Sequence, residues 1–489
     1  MKRLLNYLIL FLPFFGFAQS PQFNWSQTLD IEGEISLSFQ INDTTLITSK
    51  NVNGGVVRTN KIEQIKIKQG DENVSCSVKV IEDKLVKSLM PSEFWNSGDN
   101  IIRFTRQENL KGSKLLIDKL DNNFTVLKSA EFESGFNTNS NERFLVMYRL
   151  KDLKLEVKMI DLERLEIVSE NTIDIPLDYD RIEIIDMLLD NDGSALFGIA
   201  PMKSLEKGKK TKDKKDGEFM IVSVNGTSHE IYRTEIADAH LNFGDFVELN
   251  DDIFFVGVTL NGYDQDNLYS LRSFKLNGGK NSIEEVSSED CSGDFLFSGL
   301  SADEKNNLSG KFEDYKKENV FNIPEREVRS YMQCAEQMGE HKVLMFSLSN
   351  AFLVCSLDDK GNFSWLKSIP LNYVSGGIGY SNADNELIFY FTDASTNYDE
   401  SGRFKLNYKK SKNSDRIRGR EDVGVKLTID MLTGDHEREL LDDLKGYSIT
   451  FPLLVPTNAQ QLIIQRNMEF KTLSFSIIEL AGMKMLIEY

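Results

Sequence analysis

Apolar and polar positions alternate at a two-residue period in short runs along nearly the whole chain, and the runs break at clusters of Asp, Asn and Gly. Alternation at that period puts successive side chains on opposite faces of a strand, and Asp, Asn and Gly supply the backbone conformations that tight hairpins need. The clearest stretch is HKVLMFSLSNAFLVCSLDDKGNFSWLKSIP, from His341 to Pro370, in which Asp358 to Gly361 make the turn of a hairpin. Comparable hairpins begin at Lys114 (KLLIDKLDNNFTVLKS), Leu155 (LEVKMIDLERLEIVSENTIDIP), Glu218 (EFMIVSVNGTSHEIYRTEI) and Leu268 (LYSLRSFKLNGGKNSIEEVSS). Weaker copies begin at Leu308 (LSGKFEDYKKENVFNIP) and Val423 (VGVKLTIDMLTGDHERELL), with a worn one from Thr45 to Lys68 and a last one from Leu462 to Leu480. An apolar strand precedes the hairpins: IIRFTR at Ile101, RFLVMYRL at Arg143, SALFGIAP at Ser194, DDIFFVGVTL at Asp251, DFLFSGLS at Asp294 and ELIFYFTD at Glu386. Helical periodicity is nearly absent.

The copies recur every roughly 40 to 60 residues, the length of a four-stranded propeller blade. The pattern therefore predicts an all-β chain: residues 19–489 form a single β-propeller of about eight blades, seven to nine being admissible. Either terminus is expected to complete the other's blade, because closing the ring removes an exposed strand edge. The competing arrangement, β-sandwiches in series, lacks a linker to separate its domains.

Residues 1–18 read as a signal peptide. Lys2 and Arg3 precede an apolar stretch from Leu4 to Phe17, and Gly16 and Ala18 supply the small residues of a cleavage site before Gln19. The stretch is shorter than the ~20 residues of a spanning helix and is broken by Pro13. No Cys stands near the cleavage point, which argues against a lipid anchor, and no later segment is apolar enough to span a bilayer. The leader ending FFGFAQS and hairpins such as LVCSLDDKGNFSWLKSIP resemble those of a broad group of secreted, propeller-like repeat proteins of Bacteroidetes-type bacteria. The resemblance extends over the mature chain and implies export. Such proteins often end in a basic-tailed secretion domain, whereas this chain ends in IELAGMKMLIEY, so the expected location is the periplasm more than the exterior.

A formal net charge of -19 and a pI near 4.9 argue against sequence-independent binding to nucleic acid, which needs a basic surface. Against that background stand two basic stretches, Lys203 to Lys215 with seven lysines, and YKKSKNSDRIRGR from Tyr408 to Arg420. Polar insertions within repeats lie on the faces of the fold, where they are either solvated or engaged with an acidic partner. Cys76, Cys291, Cys334 and Cys355 allow three disulfide connectivities; Cys355 sits in the apolar strand FLVCSL, which favours core thiols over a bridge, and no Cys/His spacing suits a metal.

Catalytic signatures are weak. His229, His240, His341 and His436 are the only histidines, and the string HEREL at His436 lacks the second His of a zinc site. The turns DNDG at Asp190 and YDQDN at Tyr263 hold oxygen ligands but no distal Glu to complete a calcium loop, so they read as hairpin turns. GGIGYS at Gly376 departs from a dinucleotide fingerprint. Trp25, Trp95 and Trp365 are too far apart to form a sugar platform and read as core residues. The reading that follows is an exported noncatalytic propeller of the cell envelope, monomeric, that binds a protein or extracellular polymer through its loops. It has no assigned catalytic, cofactor or metal residues, no cofactor, no nucleic-acid partner and no integral membrane segment after cleavage. The alternatives are a hydrolase or lyase acting on glycans or peptides in the central funnel, its groups converging from distant blades, and a purely structural envelope protein.

Overall fold

The computed structural model describes residues 29–30, 35–42, 44–52, 58–69, 74–86, 92–97, 100–109, 112–177, 182–201, 217–237, 239–261, 269–278, 282–291, 295, 297–300, 304–305, 332–338, 341–348, 351–370, 379–383, 385–404, 422–441, 448–450, 453–454, 461–468 and 472–479. Apart from β1 (Leu29–Asp30), strands follow in sheets. The first sheet holds β2 (Ile35–Asn42), β3 (Thr45–Val52), β4 (Arg58–Gln69) and β5 (Val74–Val86). The second holds β6 (Glu93–Ser97), β7 (Asn100–Asn109), β8 (Gly112–Leu120) and β9 (Val126–Glu133); the third, β10 (Asn137–Ser140), β11 (Phe144–Lys151), β12 (Lys154–Asp161) and β13 (Glu166–Asp174). The fourth holds β14 (Ile182–Leu189), β15 (Ala195–Pro201), β16 (Gly217–Asn225) and β17 (Ser228–Ile236); the fifth, β18 (Ala239–Leu249), β19 (Asp252–Asn261), β20 (Tyr269–Asn277) and β21 (Ser282–Asp290). The sixth holds β22 (Met332–Met338), β23 (His341–Leu348), β24 (Ala351–Leu357) and β25 (Phe363–Pro370); the seventh, β26 (Gly379–Ala383), β27 (Glu386–Ala394), β28 (Asp422–Asp430) and β29 (His436–Leu441). The eighth is built from both ends of the chain. In it β30 (Ser448–Thr450), β32 (Gln461–Met468) and β33 (Thr472–Glu479) are followed outward by β1, while β31 (Leu453–Leu454) pairs parallel with β2 and makes the first sheet five-stranded.

The expected mutual completion of the terminal blade is thus met by β1 on β33. It also explains why the copy at Leu462 is a second-and-third-strand hairpin, its fourth strand coming from the other end of the chain. The copy at Leu308 lies outside the described residues, in the connection between β21 and β22.

Burial follows radial position. Every residue of β15 (ALFGIAP) and of β24 (AFLVCSL) is buried, because both faces of a middle strand are covered by neighbouring blades; such strands read as continuous apolar runs. Fourth strands such as β9 (VLKSAEFE) are largely exposed, and first strands such as β14 are half-buried. First strands of adjacent sheets pack on one another, β14 against β18 most extensively, which sets them at the axis. Hydrophobic cores fill the wedges between blades: Phe219 packs on Phe255 with ring centroids 4.5 Å apart across the fourth and fifth sheets, and Phe39 on Phe94 at 5.3 Å across the first and second. Burying each such ring stabilises the ring of blades by roughly 1.5–3 kcal/mol.

One correction concerns DFLFSGLS at Asp294. Its described residues are turns, not a strand: Phe297 and Leu300 are buried in the core between the sixth and seventh sheets, Gly299 donates its N–H to the Ser368 carbonyl at 3.0 Å, and Ser298 Oγ accepts from the Ser368 N–H. A Cβ on Gly299 would lie 2.5 Å from that carbonyl oxygen, so the run plugs a wedge at a separation only glycine permits. Another close approach lies within the fifth sheet, where β18, bulged between Leu241 and Phe243, pairs with β19. A Cβ on Gly244 of β18 would lie 2.5 Å from the Phe255 ring and 2.6 Å from the Val256 carbonyl oxygen. Gly244→Ala is therefore expected to lower stability by about 1–3 kcal/mol, read as a shift in the urea midpoint without a change in slope. An unchanged midpoint would mean that the β18–β19 pair gives way to a methyl group at this position.

Candidate functional face and the axial strands

Neighbouring strands within a blade are antiparallel, so connections from first to second and from third to fourth strands open on one face of the ring. Those from second to third strands, and from one sheet to the next, open on the other. The first face carries connections of five residues or fewer, except residues 451–460, where β31 is inserted. The second carries the long connections, residues 202–216 between β15 and β16, 291–331 between β21 and β22, and 395–421 between β27 and β28. Both basic stretches fall in connections of this second face, and both lie outside the described residues apart from the strands that bracket them.

The tight turns are built on Asp for backbone reasons. Asp121 Oδ1 accepts the N–H groups of Asn123 and Thr125, each at 2.8 Å, and Asp358 Oδ1 accepts those of Lys360 at 3.0 Å and Asn362 at 2.7 Å. Asp430 does the same for Leu432 and Thr433. In DNDG, Asp192 accepts from the Ser194 hydroxyl and from the Ser194 N–H at 2.7 Å, hydrogen bonds that hold its carboxyl below the usual range, and Gly193 has φ +90°. This turn serves as a hairpin, as its sequence implied. Among the described residues no three His, Cys, Asp or Glu side chains gather at metal-ligand distances. The turn at Tyr263 and the glycines Gly376 and Gly377 lie outside the described residues.

Polar groups of the two inner strands tie blade to blade. Arg106 of β7 reaches Thr138 of β10 at 3.4 Å, Asn139 Nδ2 donates to the Met187 carbonyl at 3.4 Å, and the Phe246 N–H donates to Asp186 Oδ2 at 2.7 Å. Burial pushes the Glu93 carboxyl of β6 up, Arg106 opposing it. Burial likewise pushes Asp186 up to about 6, against the N–H groups of Phe246 and Met187. A bulge at Ile185 turns Asp186 toward the fifth sheet, whereas Ile184 and Met187 pack toward the third. No signal in the sequence singled out Glu93 or Asp186.

A second buried cluster lies on the outer wall of the seventh sheet. His436 Nε2 is 3.7 Å from a Glu304 carboxylate oxygen and Arg438 Nε 3.6 Å from the other; Arg438 Nη2 donates to the Pro370 carbonyl at 2.9 Å, and its guanidinium lies 3.7 Å from the Phe404 ring centre. Of the remaining histidines, His229 is exposed on β17, His240 stands on β18, and His341 Nδ1 is 3.2 Å from Ser364 Oγ. Trp95 and Trp365 pack against cores as expected, Trp365 donating Nε1–H to the Met431 carbonyl at 3.3 Å; Trp25 lies outside the described residues.

The chain folds as a β-propeller. No family model matches it, and no curated relative matches it either. Among solved structures it is similar to the β-propeller domain of the Trilobed protease from Pyrococcus furiosus, at 12% identity over 84% of this chain and 98% of that one, with a TM-score of 0.36. It is also similar to the β-propeller domain of Vanderwaltozyma polyspora Nup133, at 10% identity over 74% of this chain and 94% of that one, with a TM-score of 0.39. The assignment rests on the strand order and ring closure of the propeller itself. Among its described residues no helix is long and apolar enough to cross a membrane.

Proposed function

We propose that this propeller is an exported binding module of the bacterial envelope, located in the periplasm, that engages a protein or an extracellular polymer through its long-connection face. One observation carries the reading: the three longest connections, residues 202–216, 291–331 and 395–421, two of which hold the basic stretches, open on the same face, while the connections of the opposite face have five residues or fewer except at residues 451–460. A rigid ring with variable connections on one side is the usual way in which a scaffold presents a binding surface. In a chain of net charge -19, fourteen basic residues concentrated in residues 202–216 and 405–421 favour an acidic partner.

The test is copurification from the native envelope by the intact protein and by a variant with the lysines from Lys203 to Lys215 changed to Gln. A partner that is retained by the intact protein, released by added salt, and at least about tenfold weaker on the variant is the expected result. Equal, salt-insensitive recovery by both proteins refutes the acidic-partner reading.

A second reading is a hydrolase or lyase acting on glycans or peptides in the funnel. The raised carboxyls of Glu93 and Asp186, on first strands near the axis, favour it, since carboxyls shifted by burial are the raw material of general acid catalysis. The engagement of Asp186 with the Phe246 N–H favours a structural role.

A further inference from the structure

Four cysteines leave three ways to pair, and the fold separates them. Cys76 stands on β5 of the first sheet, and Cys334 on β22 in register with Met345. Cys291 and Cys355, by contrast, are both fully buried in one hydrophobic core, the wedge between the fifth and sixth sheets that also holds Phe254, Leu344, Leu353 and Leu357. Cys291 is the first residue after β21, where the chain leaves the fifth sheet; Cys355 lies within β24, in register with Leu344 on one side and Leu366 on the other. Both are free thiols in the structure, Cys291 Sγ lying 3.6 Å from the Glu289 carbonyl oxygen; burial pushes both thiols up, and Cys291 adds to the shift of Cys355.

We propose that Cys291 and Cys355 are a disulfide-forming pair, closed as the sixth blade docks on the fifth and sealed from reagents once it has docked. The oxidant is a small disulfide such as oxidised glutathione. In the unfolded chain the thiols titrate in the ordinary range, so one cysteine thiolate attacks a glutathione sulfur, breaks its S–S bond and expels a glutathione thiolate. The second cysteine thiolate then attacks the mixed disulfide, forms the Cys291–Cys355 bond and expels the second glutathione thiolate. Two electrons pass from the cysteines to the oxidant, and the two cysteine protons end on the released glutathiones. In the folded protein burial suppresses both thiolates, so a pair that folds reduced stays reduced. The bond would staple the exit of the fifth sheet to the third strand of the sixth, at the head of the connection formed by residues 291–331.

The test is a non-reducing peptide map of the full chain refolded from denaturant with oxidised glutathione, alongside the same map of C76S/C334S. The expected result is one linked pair of peptides, carrying Cys291 and Cys355, lighter by two hydrogens than the reduced pair. Reduced protein that is folded before the oxidant is added should remain alkylatable at both cysteines when later denatured. Mapping protein produced in an oxidising and in a reducing compartment gives the same readout without refolding. Free Cys291 and Cys355 in the oxidised preparations, or a link from either to Cys76 or Cys334, would overturn the proposal.

Discussion

Asp186→Asn is expected to stabilise the propeller at neutral pH and to remove from its profile the fall in stability that Asp186 contributes between pH 4 and pH 6. The carboxyl of Asp186 titrates near 3.8 in the unfolded chain and is pushed up to about 6 in the folded one, chiefly by burial. The folded state therefore binds more protons across that window, and stability falls as pH rises through it. Two pH units at about 1.4 kcal/mol each bound the loss at about 3 kcal/mol, incurred by pH 7. Asn removes the charge but offers a single acceptor oxygen where the carboxylate takes N–H groups from Phe246 and Met187, which costs about 1 kcal/mol. The net gain at pH 7 is about 2 kcal/mol, read from urea unfolding at a series of pH values. Asp186→Ala should not share it, because the Phe246 N–H then loses its partner. Parallel pH profiles for wild type and Asn variant would refute the assignment of Asp186 to the seam. If instead the funnel is catalytic through Asp186, turnover of a glycan or peptide falls in the Asn variant whatever its stability.

The ring was legible because blades repeat. Hairpins such as β24–β25 announce themselves through Asp358 and Gly361, whose roles are local: an Asp that caps the N–H groups of its own turn and a glycine at φ +86°. Long-range relations are harder to read. The run DFLFSGLS has a strand's composition, and local pattern cannot distinguish a middle strand from a buried plug, because both are continuously apolar. The bulge at Ile185 leaves no mark in the residues that form it, yet it decides which blade Asp186 meets. That the basic stretches share a face follows from their both joining second to third strands, a relation that appears only once each strand has been assigned its place in a blade. Glu304 was equally invisible: it reaches His436 and Arg438 from a connection more than a hundred residues away.

His436→Gln should reveal the opposite pH dependence. Burial, aided by Arg438 and opposed by Glu304, pushes the imidazole down from 6.5 to about 4 in the folded protein. Here the unfolded chain binds more protons between pH 4 and pH 6.5, so stability is complete above that window and falls as pH drops through it. The loss reaches about 3 kcal/mol by pH 4. Gln keeps a polar group of similar size beside Glu304 and cannot take the proton, so the variant should resist acid by about 2–3 kcal/mol more than wild type at pH 4 while matching it near pH 8. Because Asp186 and His436 act in overlapping windows with opposite signs, their effects largely cancel in the wild-type profile, and the single variants should diverge in opposite senses. The double variant should restore the flat profile, since the two sites lie on the fourth and seventh blades, too far apart to couple. An H436Q profile that follows wild type down to pH 4 would show that the imidazole is already protonated in the folded protein and paired with Glu304, making the outer cluster an ion pair instead of a buried neutral base.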